Sequence, residues 1–145
     1  SRPVKTKDKT ILEVEAFKGK EILLVEDVEL NREIAETILT EAGFHVNSVE
    51  DGKQAVDYME SEKGNMIDLI LMDVMMPVMD GYEATAEIRK VSASVPIIAV
   101  TAYAFAQDEQ RIINSGFDAY TAKPINGKIL KDKISTLLTH RIILM

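Results

Sequence analysis

Three carboxylates, a threonine and a lysine occupy corresponding places in this sequence of 145 residues, close behind short apolar runs. Glu26 and Asp27 follow the run at 21–25, Asp73 the run at 68–72 and Thr101 the run at 96–100, while Lys123-Pro124 comes just after a weaker run at 119–121. As strands of one open parallel sheet, these runs would bring their carboxyl ends, and the polar groups behind them, onto one rim where ligands bind. Three crowded carboxylates beside one ammonium carry a formal charge of about −2, which is unfavourable until a cation or a proton joins them. A divalent ion brings the sum near zero. All the candidate ligands are oxygens, with neither His nor Cys nearby, so the expected ion is a hard one, Mg²⁺ with retained waters. Such an ion templates a phosphoryl group and a carboxylate beside it can act as a nucleophile, so phosphoryl transfer is the natural chemistry. Taken singly, each acid could equally cap the helix or turn that follows it.

The runs at 21–25, 46–49, 68–72, 96–100 and 119–121 read as five strands. Helix-period segments lie between and after them, at 30–42 and near 52–63, 81–91, 106–115 and 126–139. The first is the clearest, with Leu30, Ile34 and Ile38 at every fourth position and Gly43 as a stop. Strands that are almost wholly apolar need cover on both faces, and their alternation with helices predicts an α/β fold with a parallel sheet wound on both sides. The second and fifth runs are only weakly apolar and are expected at or near the edges. Asp80-Gly81 reads as a turn with Gly81 at positive φ, and Asp51-Gly52 as a turn. Met72, Met75, Met76 and Met79 read as adaptable core filling, not as a soft-metal site.

The length fits one domain, and 46% hydrophobic with 28% charged residues is ordinary globular composition. No apolar run approaches the roughly 20 residues a membrane-spanning helix requires, and the start does not resemble a signal peptide. The absence of Cys removes disulfides, thiolate metal sites and thiol nucleophiles together. Residues 1–20 hold six Lys or Arg against three Asp or Glu, whereas 21–145 hold eleven against twenty-one. A body this acidic repels a phosphate backbone, so direct nucleic-acid binding is not expected. Residues 1–19 read as a linker or N-terminal arm, whose apolar cluster is Ile11, Leu12, Val14 and Phe17, and 20–145 as the folded domain.

Four ordered motifs, Leu24 to Asp27, Leu71 to Gly81, Val100-Thr101-Ala102 and Lys123-Pro124, together resemble the receiver domain of two-component response regulators over about residues 20–138. The resemblance implies a flavodoxin-like, doubly wound five-stranded sheet in the order 2-1-3-4-5 with five helices. It implies Asp73 as phosphoacceptor, Asp27 as a direct metal ligand, Glu26 as a ligand directly or through water, and the Met75 backbone carbonyl as a further ligand. Thr101 and Lys123 would bind the phosphoryl oxygens, Thr101 and Tyr120 would form a conformational switch, and the Lys123-Pro124 bond would be cis. A phosphohistidine on a partner would donate the group with Mg²⁺ present. The domain would thus catalyse its own modification. Val28 departs from the Asn of many members.

Glu-Asp followed by Leu30-Asn31-Arg32, and Thr101 to Phe105, resemble receivers fused behind the kinase core of hybrid sensor histidine kinases, as does the arm before the first strand. The implied partners are a histidine kinase or the chain's own kinase core and a histidine phosphotransfer protein, with a cytoplasmic setting and no membrane contact by this domain. A separate response regulator and a phosphorylation-independent pseudo-receiver are the alternatives. A phosphate-cradling flavodoxin loop does not fit the acidic, glycine-free Glu26 to Glu29, and an Asp-nucleophile phosphatase would want an acid where Met75 stands.

Overall fold

The computed structural model describes residues 17–102 and 106–144, with the backbone alone for 106, 107 and 140–144. Strands β1 (Glu21–Val25), β2 (His45–Val49), β3 (Leu69–Asp73), β4 (Ile97–Thr101) and β5 (Ala119–Ala122) alternate with helices α1 (Glu29–Glu41), α2 (Gly52–Glu60), α3 (Gly81–Val91), α4 (Ala106–Asn114) and α5 (Gly127–Leu144). All strand pairs are parallel and their order is β2-β1-β3-β4-β5. The weakly apolar strands are the two edges, as their composition predicts, because an edge strand is covered less completely than a central one.

Alternation along the strands sorts the core into two layers. Leu23, Val25, Ile70, Met72, Ile97 and Ala99 pack under Ala55 and Met59 of α2, Ile88 of α3 and Ile112 of α4. Ile22, Leu24, Leu69, Leu71, Ile98 and Val100 pack under Leu39 of α1 and Leu130 and Ile134 of α5. Phe17, at the end of the expected arm, is buried in the second layer and stacks on Phe44 with ring centroids 4.6 Å apart. The rest of that arm, residues 1–16, lies outside the described residues.

Local structure corrects several details. In α1 the repeat of Leu30, Ile34 and Ile38 marks the helix, but only Ile38 of the three packs against the core. Ala35 and Leu39 are buried there, while Leu30 is 65% and Ile34 45% exposed. The expected helix at 52–63 stops at Glu60 and a 3₁₀ turn follows at Glu62–Met66. Gly64 of that turn packs closely on the end of α2, where a Cβ would lie 2.3 Å from the Met59 carbonyl oxygen. Gly81 is not at positive φ. It opens α3, and a Cβ there would meet the Asp73 carbonyl oxygen at 2.6 Å. The left-handed residue of this loop is Val78, at φ 69°. Asp51 and Asp80 cap α2 and α3, accepting from the Gln54 and Glu83 amides at 2.8 and 2.9 Å. Of the clustered methionines, Met72 fills the core, Met76 and Met79 lie partly buried against it, and Met75 is exposed.

Candidate phosphoacceptor and metal site

Register explains why the acids meet. Val25 pairs with Met72 and Asp73 with Val100, so Glu26 emerges beside Asp73 at the carboxyl ends of adjacent central strands. Asp73 is the last residue of β3 and Thr101 the last of β4, so both side chains are fixed by the sheet. Lys123 follows β5, and its amide donates to the Thr101 carbonyl at 2.8 Å, which extends the β4–β5 ladder to the lysine. The Lys123-Pro124 peptide bond is cis.

Glu26, Asp27 and Asp73 each offer a carboxylate oxygen, and these atoms lie within 4.8 Å of one another. Asp73 is almost wholly buried. Its Oδ1 accepts from the Met75 amide at 3.0 Å and its Oδ2 lies 2.9 Å from the Lys123 ammonium. Glu26 is 4% exposed, with Oε2 accepting from the Val28 amide at 3.0 Å and Oε1 3.6 Å from Lys123. One cation thus serves two buried acids, with a third beside them.

The electrostatics follow from this imbalance. Burial, reinforced by the charge of Asp73, pushes the Glu26 carboxyl from its ordinary 4.5 up to about 7, against the opposing pull of the Val28 amide and Lys123. Burial works against the charged form of Lys123, but its hydrogen bond to Asp73 and the charges of Asp73 and Glu26 prevail and hold its pKa above the ordinary value. The cluster is therefore short of positive charge. An all-oxygen donor set of this kind suits a hard divalent cation. Neither Asp27 nor Asp73 caps a helix. The N-cap of α1 is Val28, without a side-chain bond, and that of α3 is Asp80.

Thr101 is buried at the rim. Tyr120 pairs with Ala99, so by strand alternation it shares a sheet face with Thr101. Its ring packs against the first core layer, its hydroxyl donates to the Glu109 carboxylate, and the Lys133 ammonium lies 5.6 Å from the ring centroid. Tyr103 to Phe105, quoted in the resemblance to hybrid kinases, lie outside the described residues. Beside the acids, a cavity of about 290 Å³ is lined by Glu26, Asn31, Ile34, Lys123, Pro124 and Ile125. Sequence patterns single out neither this cavity nor the Val28 and Met75 amides, because backbone donors leave no trace in residue type.

The model of the response regulator receiver domain matches residues 22–135. Hybrid signal transduction histidine kinase I of Dictyostelium discoideum is 42% identical over 123 residues, covering 81% of this chain and 7% of that protein. Two-component response regulator ORR41 of Oryza sativa subsp. japonica is 40% identical over 119 residues, covering 81% of this chain and 90% of that protein. Among solved structures, the receiver domain of sensor histidine kinase PA1611 from Pseudomonas aeruginosa PAO1 has a TM-score of 0.76 and 41% identity, covering 83% of this chain and 98% of that one. It holds a magnesium ion in its active-site cleft. The chain therefore spans only a small fraction of the kinase it resembles, yet nearly the whole of the solved receiver. With five parallel strands in the order 2-1-3-4-5 and a family match over most of its length, this chain belongs to the response regulator receiver domains of two-component signalling.

Proposed function

We propose that this domain accepts a phosphoryl group from a phosphohistidine onto Asp73 and passes the event to its surface as a conformational change. The observation that carries the proposal is Asp73 itself, a buried carboxylate oriented by the Met75 amide and the Lys123 ammonium beside Glu26 and Asp27. An Asp73 oxygen attacks phosphorus, the P–N bond of the donor breaks, and its electron pair stays on the imidazole nitrogen. The product is an acyl phosphate, which water later hydrolyses. Glu26, Asp27, Asp73 and the Met75 carbonyl would hold Mg²⁺, a role that the magnesium in the PA1611 receiver supports. When bound, Mg²⁺ supplies compensation for charge on the phosphoryl oxygens. Lys123 holds Asp73 in place and offers its ammonium to the incoming group.

The switch uses Thr101 and Tyr120. Two charge-assisted hydrogen bonds, from the Thr101 hydroxyl and the Lys123 ammonium to the new phosphoryl group, supply about 3–6 kcal/mol gross. Inverting a 1:99 equilibrium takes about 5.5 kcal/mol, so the modification is matched to a population shift of this size. Tyr120 follows Thr101 on the shared face and carries the change toward β5 and α4.

The donor is a histidine kinase or a histidine phosphotransfer protein. Exposed Ile34, which lines the cavity with Glu26 and Lys123, and exposed Leu30 one turn before it on α1 give such a partner an apolar contact. Residues 20–145 act as the receiver unit and 1–19 as the arm that joins it to a hybrid kinase in the cytoplasm, with the end of the arm anchored in the core by Phe17. The Dictyostelium relative supports the hybrid context, whereas the rice regulator, matched over 90% of its own length, favours a separate regulator as the second reading. Incubation with acetyl phosphate and Mg²⁺, followed by intact-mass measurement, tests the acceptor. An alkali-labile adduct is expected on the wild type and absent from Asp73→Asn. Equal adducts on both proteins would reject Asp73, and no adduct on either would favour a pseudo-receiver.

A further inference from the structure

The loop that carries Glu26 and Asp27 lacks the usual fastening. Its last residue, Val28, caps α1 without a side-chain hydrogen bond. A Ser, Thr, Asp or Asn at that place would tie the loop to the first turn of the helix. Arg32 ties it instead. From the first turn of α1 its side chain reaches back, and Nη1 donates to the Glu26 carbonyl at 2.9 Å. Its Nη2 lies 3.8 Å from Oε1 of Glu50, and the side chain is 16% exposed. Glu50 directly follows β2, and the Glu26 amide donates to the Val49 carbonyl at 3.2 Å. The guanidinium thus bridges the loops after β1 and β2.

The carbonyl that Arg32 grips belongs to the peptide joining Glu26 to Asp27, the unit from which both carboxylates project. We propose that Arg32 is a positioning residue for Mg²⁺, fixing that peptide so that the Glu26 and Asp27 oxygens converge with Asp73 before the ion arrives. This inference rests on the metal-binding role given to these acids above. Its energetic basis is preorganisation. A loop already held in the binding geometry loses little freedom when the ion arrives, whereas an unfastened one must be ordered at that moment. Charge acts in the opposite direction, because a guanidinium near the site repels a cation. Glu50 beside Arg32 offsets that repulsion, which leaves geometry as the larger effect.

The two effects have opposite signs, and calorimetric titration of the intact domain with Mg²⁺ separates them. Arg32→Gln is expected to weaken Mg²⁺ binding about 10-fold, the scale seen when groups supporting metal ligands are removed. Arg32→Lys, which keeps the charge and one donor, should recover part of the affinity. The control for a general loss of stability is Arg89→Gln. Arg89 grips the carbonyls of Gly116 and Val95 at the opposite edge of the sheet, so its removal should lower thermal stability and leave Mg²⁺ affinity unchanged. In acetyl phosphate labelling, Arg32→Gln should raise the Mg²⁺ concentration for half-maximal rate by more than it lowers the rate at saturation. Unchanged or tighter Mg²⁺ binding in Arg32→Gln would overturn the inference, as would equal weakening in Arg89→Gln. A wild type that binds no Mg²⁺ would reject the metal-binding role itself, a result distinct from either.

Discussion

Replacing Glu26 by Gln separates the cost of a buried charge from its service to a metal ion. The Glu26 carboxyl is nearly inaccessible and its pKa rises from 4.5 to about 7. A carboxyl raised in the folded state costs no stability while it is protonated in both states. The cost begins as pH rises past the unfolded value near 4.5 and is complete above about 7. At about 1.4 kcal/mol per pH unit, the full cost is about 3 kcal/mol. Glutamine carries no charge, and its Oε1 can still accept from the Val28 amide. In EDTA at about pH 8.5, Glu26→Gln should therefore exceed the wild type in stability by up to about 3 kcal/mol, and at about pH 5 by no more than about 1 kcal/mol. Urea denaturation at both pH values measures this directly. Saturating Mg²⁺ should reverse the order at the higher pH, because the wild type would gain linked binding energy and the variant would lack the proposed Glu26 ligand. A variant less stable than the wild type in EDTA by the same amount at both pH values would refute the reasoning, since pH-independent loss has its origin in packing.

Gly81→Ala drives a Cβ to 2.6 Å from the Asp73 carbonyl oxygen and 2.7 Å from the Val74 Cα, so it should cost about 2–3 kcal/mol in denaturation and slow labelling of Asp73. Val78→Gly removes a β-branched side chain from a left-handed backbone at φ 69°. That relief of about 1–2 kcal/mol is offset in part by the freer unfolded chain, so the melting experiment should show a gain of up to about 1 kcal/mol. Leu30→Ala with Ile34→Ala alters only exposed positions of α1 and should leave stability within about 1 kcal/mol. Phosphotransfer from a histidine donor should slow about tenfold, the loss of one apolar contact of about 1.4 kcal/mol, while labelling by acetyl phosphate stays unchanged.

The central strands were legible because both their faces are buried, which makes 22–25 and 69–72 apolar without alternation. The site was legible for a related reason, since a polar group directly behind such a strand has nowhere to go but the rim. The buried face of α1 was not. Large apolar residues at every fourth position suggest a core stripe, but the buried residues there are Ala35 and Leu39 with Ile38 packed against them, and nothing in residue type tells an exposed Leu30 from a buried one. Gly81 shows a similar limit, because close approach of two backbones and a left-handed turn select the same residue. The grips of Arg32 and Arg89 were all but hidden, as their acceptors are mainly main-chain carbonyls. A basic residue one turn into a helix that follows an acidic loop is the only hint of the first.

The two core layers also place the proposed donor contact and the proposed switch on opposite faces of the sheet. Leu30 and Ile34 stand on the α1 side of the sheet, whereas Tyr120 packs on the side of α2, α3 and α4. On the function proposed above, a donor seated on Leu30 and Ile34 would leave the Tyr120 side uncovered, so a second protein could engage it before the first departs. Loading and response then need not take turns, and a complex of three partners becomes geometrically open to this small fold.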